Sequence, residues 1–148
     1  MAERTESTIT IEAPPADVVR VVADLEAYPE WAGGITAVEV LDTDEEGRPS
    51  EARLTMANGP VRDTLHVRYE WALTTAGTGT VSWSLVEPGS VTSQMDGAYV
   101  LVAAGDGTQV TYRLEVDVTV RLPGLLRRRA EKMITDTALK DLRGRVEG

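Results

Sequence analysis

Between Ile35 and Val118 the chain is cut by turn signals into short runs that alternate apolar and polar residues. This pattern restricts the fold more than any other feature of the sequence. The turn signals are "DTDEEGRP", "ANGP", "TAGTG", "EPGS" and "AAGDGT". In the clearest run, "DTLHVRYEWAL", Leu65, Val67, Tyr69, Trp71 and Leu73 share one side, and Thr64, His66, Arg68 and Glu70 the other. Val81, Trp83 and Leu85 repeat the pattern, as do Val110, Tyr112, Leu114, Val116 and Val118. Ala52, Leu54 and Met56 supply another strand, and Tyr99 and Leu101 a further one in which Gly97 is placed to allow a bend. Strands with one apolar and one wet face belong to a largely antiparallel sheet.

The flanks are different in kind. "STITIEAP", from Ser7, reads as a half-buried strand ended by Pro14-Pro15, and "PADVVRVVADLEAY" puts Val18, Val21, Val22 and Leu25 at helical spacing. Pro29 stops that helix or turns it into a second short one. At the other end, "LPGLLRRRAEKMITDTALKDLRGRVEG" predicts one long helix from about Pro123. At 100° per residue, Leu126, Ala130, Met133, Ile134 and Ala138 form a stripe with Thr137, while Arg128, Glu131, Lys132, Thr135 and Asp136 face away. The expected order is strand, helix or helix pair, six strands, long helix: an α+β chain, expected to be a single domain over residues 1–148.

A bent sheet with one apolar face, covered by a single helix about 10 Å across, leaves space between the layers unless side chains fill it. Here aromatic residues are 5% of the chain and Phe is absent. The expectation is therefore a hollow interior lined by Tyr69, Trp71, Trp83, Met95, Tyr99, Tyr112 and Met133, the composition of an apolar-ligand site. With no cysteine and one histidine, His66, neither a metal site nor a cofactor is expected, and a Ser-His-Asp triad has no spare parts. The net charge of −9 argues against nucleic-acid binding. Residues 121–148 nevertheless carry 8 Lys+Arg against 4 Asp+Glu. That basic helix either docks on the acidic body or forms a patch for an anionic ligand or for transient contact with a membrane surface. The polar N-terminus and the lack of a long apolar run suggest a cytoplasmic protein.

The front segment "TIEAPPADVVRVVADLEAYPEWAGGITAVEVL", the later "DGAYVLVAAGDGTQVTYRLEVDV" and the C-terminal helix together resemble the START-like, polyketide cyclase/dehydrase and lipid-transport superfamily. The resemblance spans essentially the whole chain. It implies a helix-grip fold, with seven strands around the last helix and a cavity between them for lipids, quinones, polyketides or other hydrophobic ligands. It carries no shared catalytic motif, so carriage or sensing of a ligand and cyclase, aromatase or dehydrase chemistry both stay open, as does a partner-binding module with a vestigial cavity.

Within that frame the expected ligand-binding set adds Leu54, Met56, Leu65, Val67 and Thr137 to the aromatic lining. Tyr28, Trp31 and the Gly33-Gly34 pair of "AYPEWAGGI" either cap the core or gate the cavity, with Trp31 closing against the N-terminal part of the last helix or neighbouring loops. Asp63 alternates onto the apolar side of its strand, where burial would raise its pKa and suit it to acid–base work; at the strand mouth it would instead stay wet. Tyr69 and Tyr99 are the other candidate proton-transfer groups. His66 falls on the polar face, and Ser93 and Thr137 are small polar groups placed to orient a ligand carbonyl.

Overall fold

The computed structural model describes residues 5–58, 61–118 and 124–148. The chain runs β1 (Thr5–Ile11), α1 (Pro15–Ala23), a one-turn 3-10 helix (Leu25–Ala27), α2 (Tyr28–Trp31), β2 (Ile35–Thr43), β3 (Pro49–Asn58), β4 (Val61–Leu73), β5 (Gly79–Leu85), β6 (Thr92–Ala104), β7 (Gly107–Val118) and α3 (Gly124–Glu147). Pro15 opens α1, where its missing N–H costs nothing, and the 3-10 turn carries the chain from α1 into α2. Val18, Val19, Val22 and Leu25 are buried, so tertiary packing overrides the weak helix propensity of valine.

All seven strands form one antiparallel sheet in the order β1-β7-β6-β5-β4-β3-β2. The chain starts at one edge, crosses to the other through α1 and α2, and returns by consecutive hairpins, which is the seven-stranded helix-grip arrangement. Turn chemistry fixes the hairpins: between β2 and β3, Asp44 Oδ1 accepts the N–H groups of Glu46 and Arg48, and Gly47 adopts φ +82°. The inner face of the sheet carries the core: Ala52, Leu54, Leu65, Val67, Val81, Leu101, Val110 and Leu114 are buried. Among the described residues α3 approaches β1 and β7 most closely, with α1 and α2 at its flank. None of the described helices is long and apolar enough to cross a membrane.

The facing of α3 differs from the expected stripe. Met133 is 68% exposed and Thr137 is also exposed, so neither lines the interior. Instead Glu131, Thr135, Leu139 and Leu142 are buried, with Ile134 and Ala138 half-buried beside them; the Leu126 and Ala130 side chains lie outside the described residues. The physical reason is polar pairing with the edge of the sheet. Ser7 Oγ lies 2.8 Å from Thr135 Oγ1, donates to Asp136 Oδ1 at 2.6 Å and accepts from Lys132 Nζ at 2.7 Å. Glu131 accepts the Val116 N–H at 3.2 Å. Polar residues that meet partners on β1 and β7 can face inward, and a hydrophobic stripe does not register them. The basic character of α3 is partly spent within the molecule, since Lys132 pairs with Asp136 and Arg145 with Glu30. The Arg127 and Arg128 side chains lie outside the described residues.

Candidate functional site

Strand register gathers five of the expected aromatic residues into one belt. One row across the sheet reads Ser7, Tyr112, Tyr99, Val81, Trp71, and the neighbouring row Leu114, Gly97, Trp83, Tyr69. These are inward positions, so the rings meet. Tyr99 and Tyr112 make an edge contact with centroids 4.8 Å apart; Trp83 lies 5.4 Å from Tyr99, 5.7 Å from Tyr112 and 5.7 Å from Tyr69. Tyr69 stacks on Trp71 with an interplanar angle of 19°. Trp71 is half-buried and donates its Nε1–H to the Pro49 carbonyl at 2.6 Å, which closes that end of the belt.

Gly97 makes room for the indole. A Cβ there would fall 2.3 Å from Trp83 Cε2 and 2.5 Å from Nε1, so the ring occupies the space a side chain would take. The glycine serves close approach rather than a left-handed backbone, and its φ is not positive.

The tyrosine hydroxyls behave differently from one another. Tyr28 donates to the Val22 carbonyl. Among the described residues the hydroxyls of Tyr69, Tyr99 and Tyr112 bond to no protein group. Each of these residues keeps 6% of its surface open. Among the described residues Arg113 Nε is the one fully enclosed side-chain polar atom without a hydrogen bond, and it still lies 2.9 Å from Glu6 Oε1 in an ion pair. Burial pushes all three hydroxyls well above the ordinary phenol range, so they stand as protonated donors.

Leu54, Leu65, Val67 and Met95 are buried on the same inner face, with Leu54 opposite Leu65 across β3 and β4. Met56 is half-buried farther along and borders an open basin of about 470 Å3 that Thr36, Thr55, Arg62 and Ser90 also line. A second basin, about 340 Å3, is lined by Arg68, Ser82, Ser84, Asp96 and Arg113, with Trp83 and Gly97 also bordering it. It is an open surface of mixed charge, lined mostly by the polar side chains of the outer face.

Asp63 is corrected. The residue is buried, and burial pushes its carboxyl up, but four backbone N–H groups outweigh that and hold the pKa below the ordinary carboxylate range. Val91 and Thr92 donate to Oδ2 at 2.9 and 2.8 Å, Ser90 and Thr64 to Oδ1 at 3.0 and 2.9 Å. A carboxylate so occupied ties the β5–β6 connection to β4 and is neither a raised-pKa acid nor a free base. His66, on the polar face as expected, lies 3.0 Å from Glu51 Oε2, and that contact lowers the Glu51 pKa. Ser93 is exposed and donates to the Asp117 carbonyl at 3.1 Å.

The segment Tyr28–Gly34 meets the C-terminal half of α3; the side chains at the start of α3 lie outside the described residues. Gly33 N–H donates to Asp141 Oδ2 at 3.0 Å, and Arg145 pairs with Glu30 at 3.3 Å. Trp31 is half-buried and rests edge-on against Tyr28 at 5.0 Å. Asp141 is a residue that sequence reasoning missed: nothing in "TALKDLRG" distinguishes it, and its partner is a backbone amide more than a hundred positions away.

With this geometry in place, comparison with known proteins is informative. The chain belongs to the polyketide cyclase/dehydrase and lipid transport family, whose model matches residues 2–147. Among solved structures it is similar to a START superfamily protein from Mycobacterium smegmatis, with 23% identity over 97% of both chains and a TM-score of 0.87. A Streptomyces aromatase/cyclase shares 17% identity over 99% of this chain and 94% of that one, TM-score 0.78. A STAR-related lipid transfer protein from Xanthomonas axonopodis shares 25% identity over 98% of this chain and 86% of that one, TM-score 0.76. Among curated protein sequences nothing matches significantly.

Proposed function

We propose that this protein binds a hydrophobic small molecule of the lipid, quinone or polyketide kind in the interior between the sheet and α3. The observation that carries the reading is the set of three buried phenols, Tyr69, Tyr99 and Tyr112, whose hydroxyls have no protein partner among the described residues, in an interior otherwise lined by apolar and aromatic side chains. Apolar walls with a few convergent polar groups are the ordinary makeup of a ligand site. Similarity to a lipid transfer protein and to an aromatase/cyclase supports the same class of ligand.

Native mass spectrometry of the purified chain, mixed with lipid, quinone and polyketide panels, is expected to retain an apolar ligand. Failure to retain any ligand from all three panels contradicts the reading. A second reading, a cyclase or aromatase, draws on the same tyrosines, because a protonated Tyr69 or Tyr99 can donate to an enolate as it forms. In the same experiment, conversion of a poly-β-keto substrate to a product of lower mass by loss of water would favour that reading over carriage.

Access to the interior is proposed at Tyr28–Gly34. Replacing Trp31 with alanine is expected to speed ligand exchange several-fold while costing only about 1–2 kcal/mol of stability, since the ring is half-buried. Stopped-flow exchange and chemical denaturation measure the two separately. A loss of 3–5 kcal/mol, as for a fully buried ring, with exchange changed only in proportion, would make Trp31 a core cap.

A further inference from the structure

Three tyrosines, Tyr69, Tyr99 and Tyr112, are buried in this interior, and each phenol has one proton to give. Tyr99 and Tyr112 face each other across β6 and β7, and Tyr69 joins them by way of Trp83. If the hydroxyls bond one another in an open chain, one proton is still left over, and a desolvated donor without an acceptor is costly. Among the described residues the cluster as a whole lacks an acceptor. Among the described residues no basic side chain is buried: the buried polar side chains are Ser7, Asp63, Thr92, Thr108, Glu131 and Thr135. The charge that does reach the cluster is negative, for Asp141 on α3 adds to the rise in the Tyr99 pKa. An anionic ligand would meet repulsion and lose its hydration without a counter-ion. The walls are flat, with Tyr69 stacked on Trp71 and the Trp83 ring laid over Gly97.

We infer that this interior selects a neutral, planar ligand whose carbonyl oxygen accepts hydrogen bonds from the Tyr69, Tyr99 and Tyr112 hydroxyls, and that it discriminates against fatty-acid-like anions and plain hydrocarbons. The inference rests on the interior-binding reading above. The carbonyl belongs to a quinone or to an aromatic ketone, since both present the same lone pairs to the same donors.

Calorimetric titration of the full chain with fluorenone, fluorene, fluorene carboxylate and menadione tests it. Fluorenone and fluorene differ only by a carbonyl in place of a methylene. A purely apolar slot would take the more hydrophobic fluorene more tightly. The inference expects the reverse, with fluorenone about 10-fold tighter than fluorene and the carboxylate weaker than both. Menadione binding tighter than fluorenone supports it with a quinone as the ligand, and the opposite ranking supports it with an aromatic ketone. Tyr69→Phe, Tyr99→Phe and Tyr112→Phe each remove a hydroxyl that no protein group uses among the described residues, so thermal stability is expected to hold or rise. Fluorenone affinity is expected to fall about 3–10-fold in each, with fluorene unchanged. Equal affinity for fluorenone and fluorene, tightest binding by the carboxylate, or three Phe variants that bind fluorenone like the parent would each overturn the inference. Binding of none of the four probes by a chain that retains a panel lipid overturns the inference alone. No ligand in either experiment overturns the interior-binding reading as well.

Discussion

Gly97→Ala is expected to destabilise the protein by about 2–3 kcal/mol, although the added group is one methyl. Three indole atoms of Trp83 lie within 2.3–2.5 Å of where its Cβ would sit. Tyr69, Tyr99 and Tyr112 neighbour the indole at 5.4–5.7 Å between centroids, so a shift of the ring disturbs its contacts with all three. Alanine ordinarily gains about 0.5–1 kcal/mol over glycine within a strand, and the Gly97 φ is not positive, so backbone preference works in favour of the variant. The steric term decides the sign. Chemical denaturation of Gly97→Ala, Trp83→Leu and the double variant forms a cycle that isolates the clash. The account expects the alanine to cost far less when Trp83 is already leucine. Additive effects would mean that the glycine serves something other than the indole.

Asp63→Asn is expected to cost about 2–3 kcal/mol, lowering Tm by about 4–12 °C. The carboxylate accepts four backbone N–H groups, two on each oxygen, and an amide can offer an acceptor to only one pair while turning donors on the other. The effect depends on pH in a defined direction. The folded-state pKa of Asp63 lies below its unfolded value, so its contribution is complete above the unfolded value and is lost as pH falls through the folded one. The stability gap between parent and Asp63→Asn is therefore expected at neutral pH and should narrow in acid. A gap that widened below the ordinary carboxylate range would mean a raised pKa and restore the acid–base role.

The strands were legible because each has one buried face, and burial on one face imposes a period of two whatever the residues are. The pairing of Tyr99 with Tyr112 was also within reach. The β6–β7 turn is Gly105-Asp106, and counting six residues outward on both sides brings the two tyrosines together. The facing of α3 was not legible, since Glu131 and Thr135 turn inward toward partners on β1 and β7 that only the fold supplies. Asp63 failed for a related reason. Alternation placed it correctly on the inner side, but its state is set by Ser90, Val91 and Thr92, 27 to 29 positions on, whose amides no local pattern connects to it. Packing against a repeating surface is written locally. Satisfaction of a buried polar group is written wherever its partner happens to be.

The central claim is that the ligand sits among the tyrosine and tryptophan rings between the sheet and α3. Intermolecular nuclear Overhauser contacts, measured on the full chain saturated with fluorenone, test this most directly. The account predicts contacts from the ligand to the rings of Tyr69, Trp83, Tyr99 and Tyr112. Contacts confined to the outer basin around Arg68, Asp96 and Arg113, with the four rings silent, would contradict it.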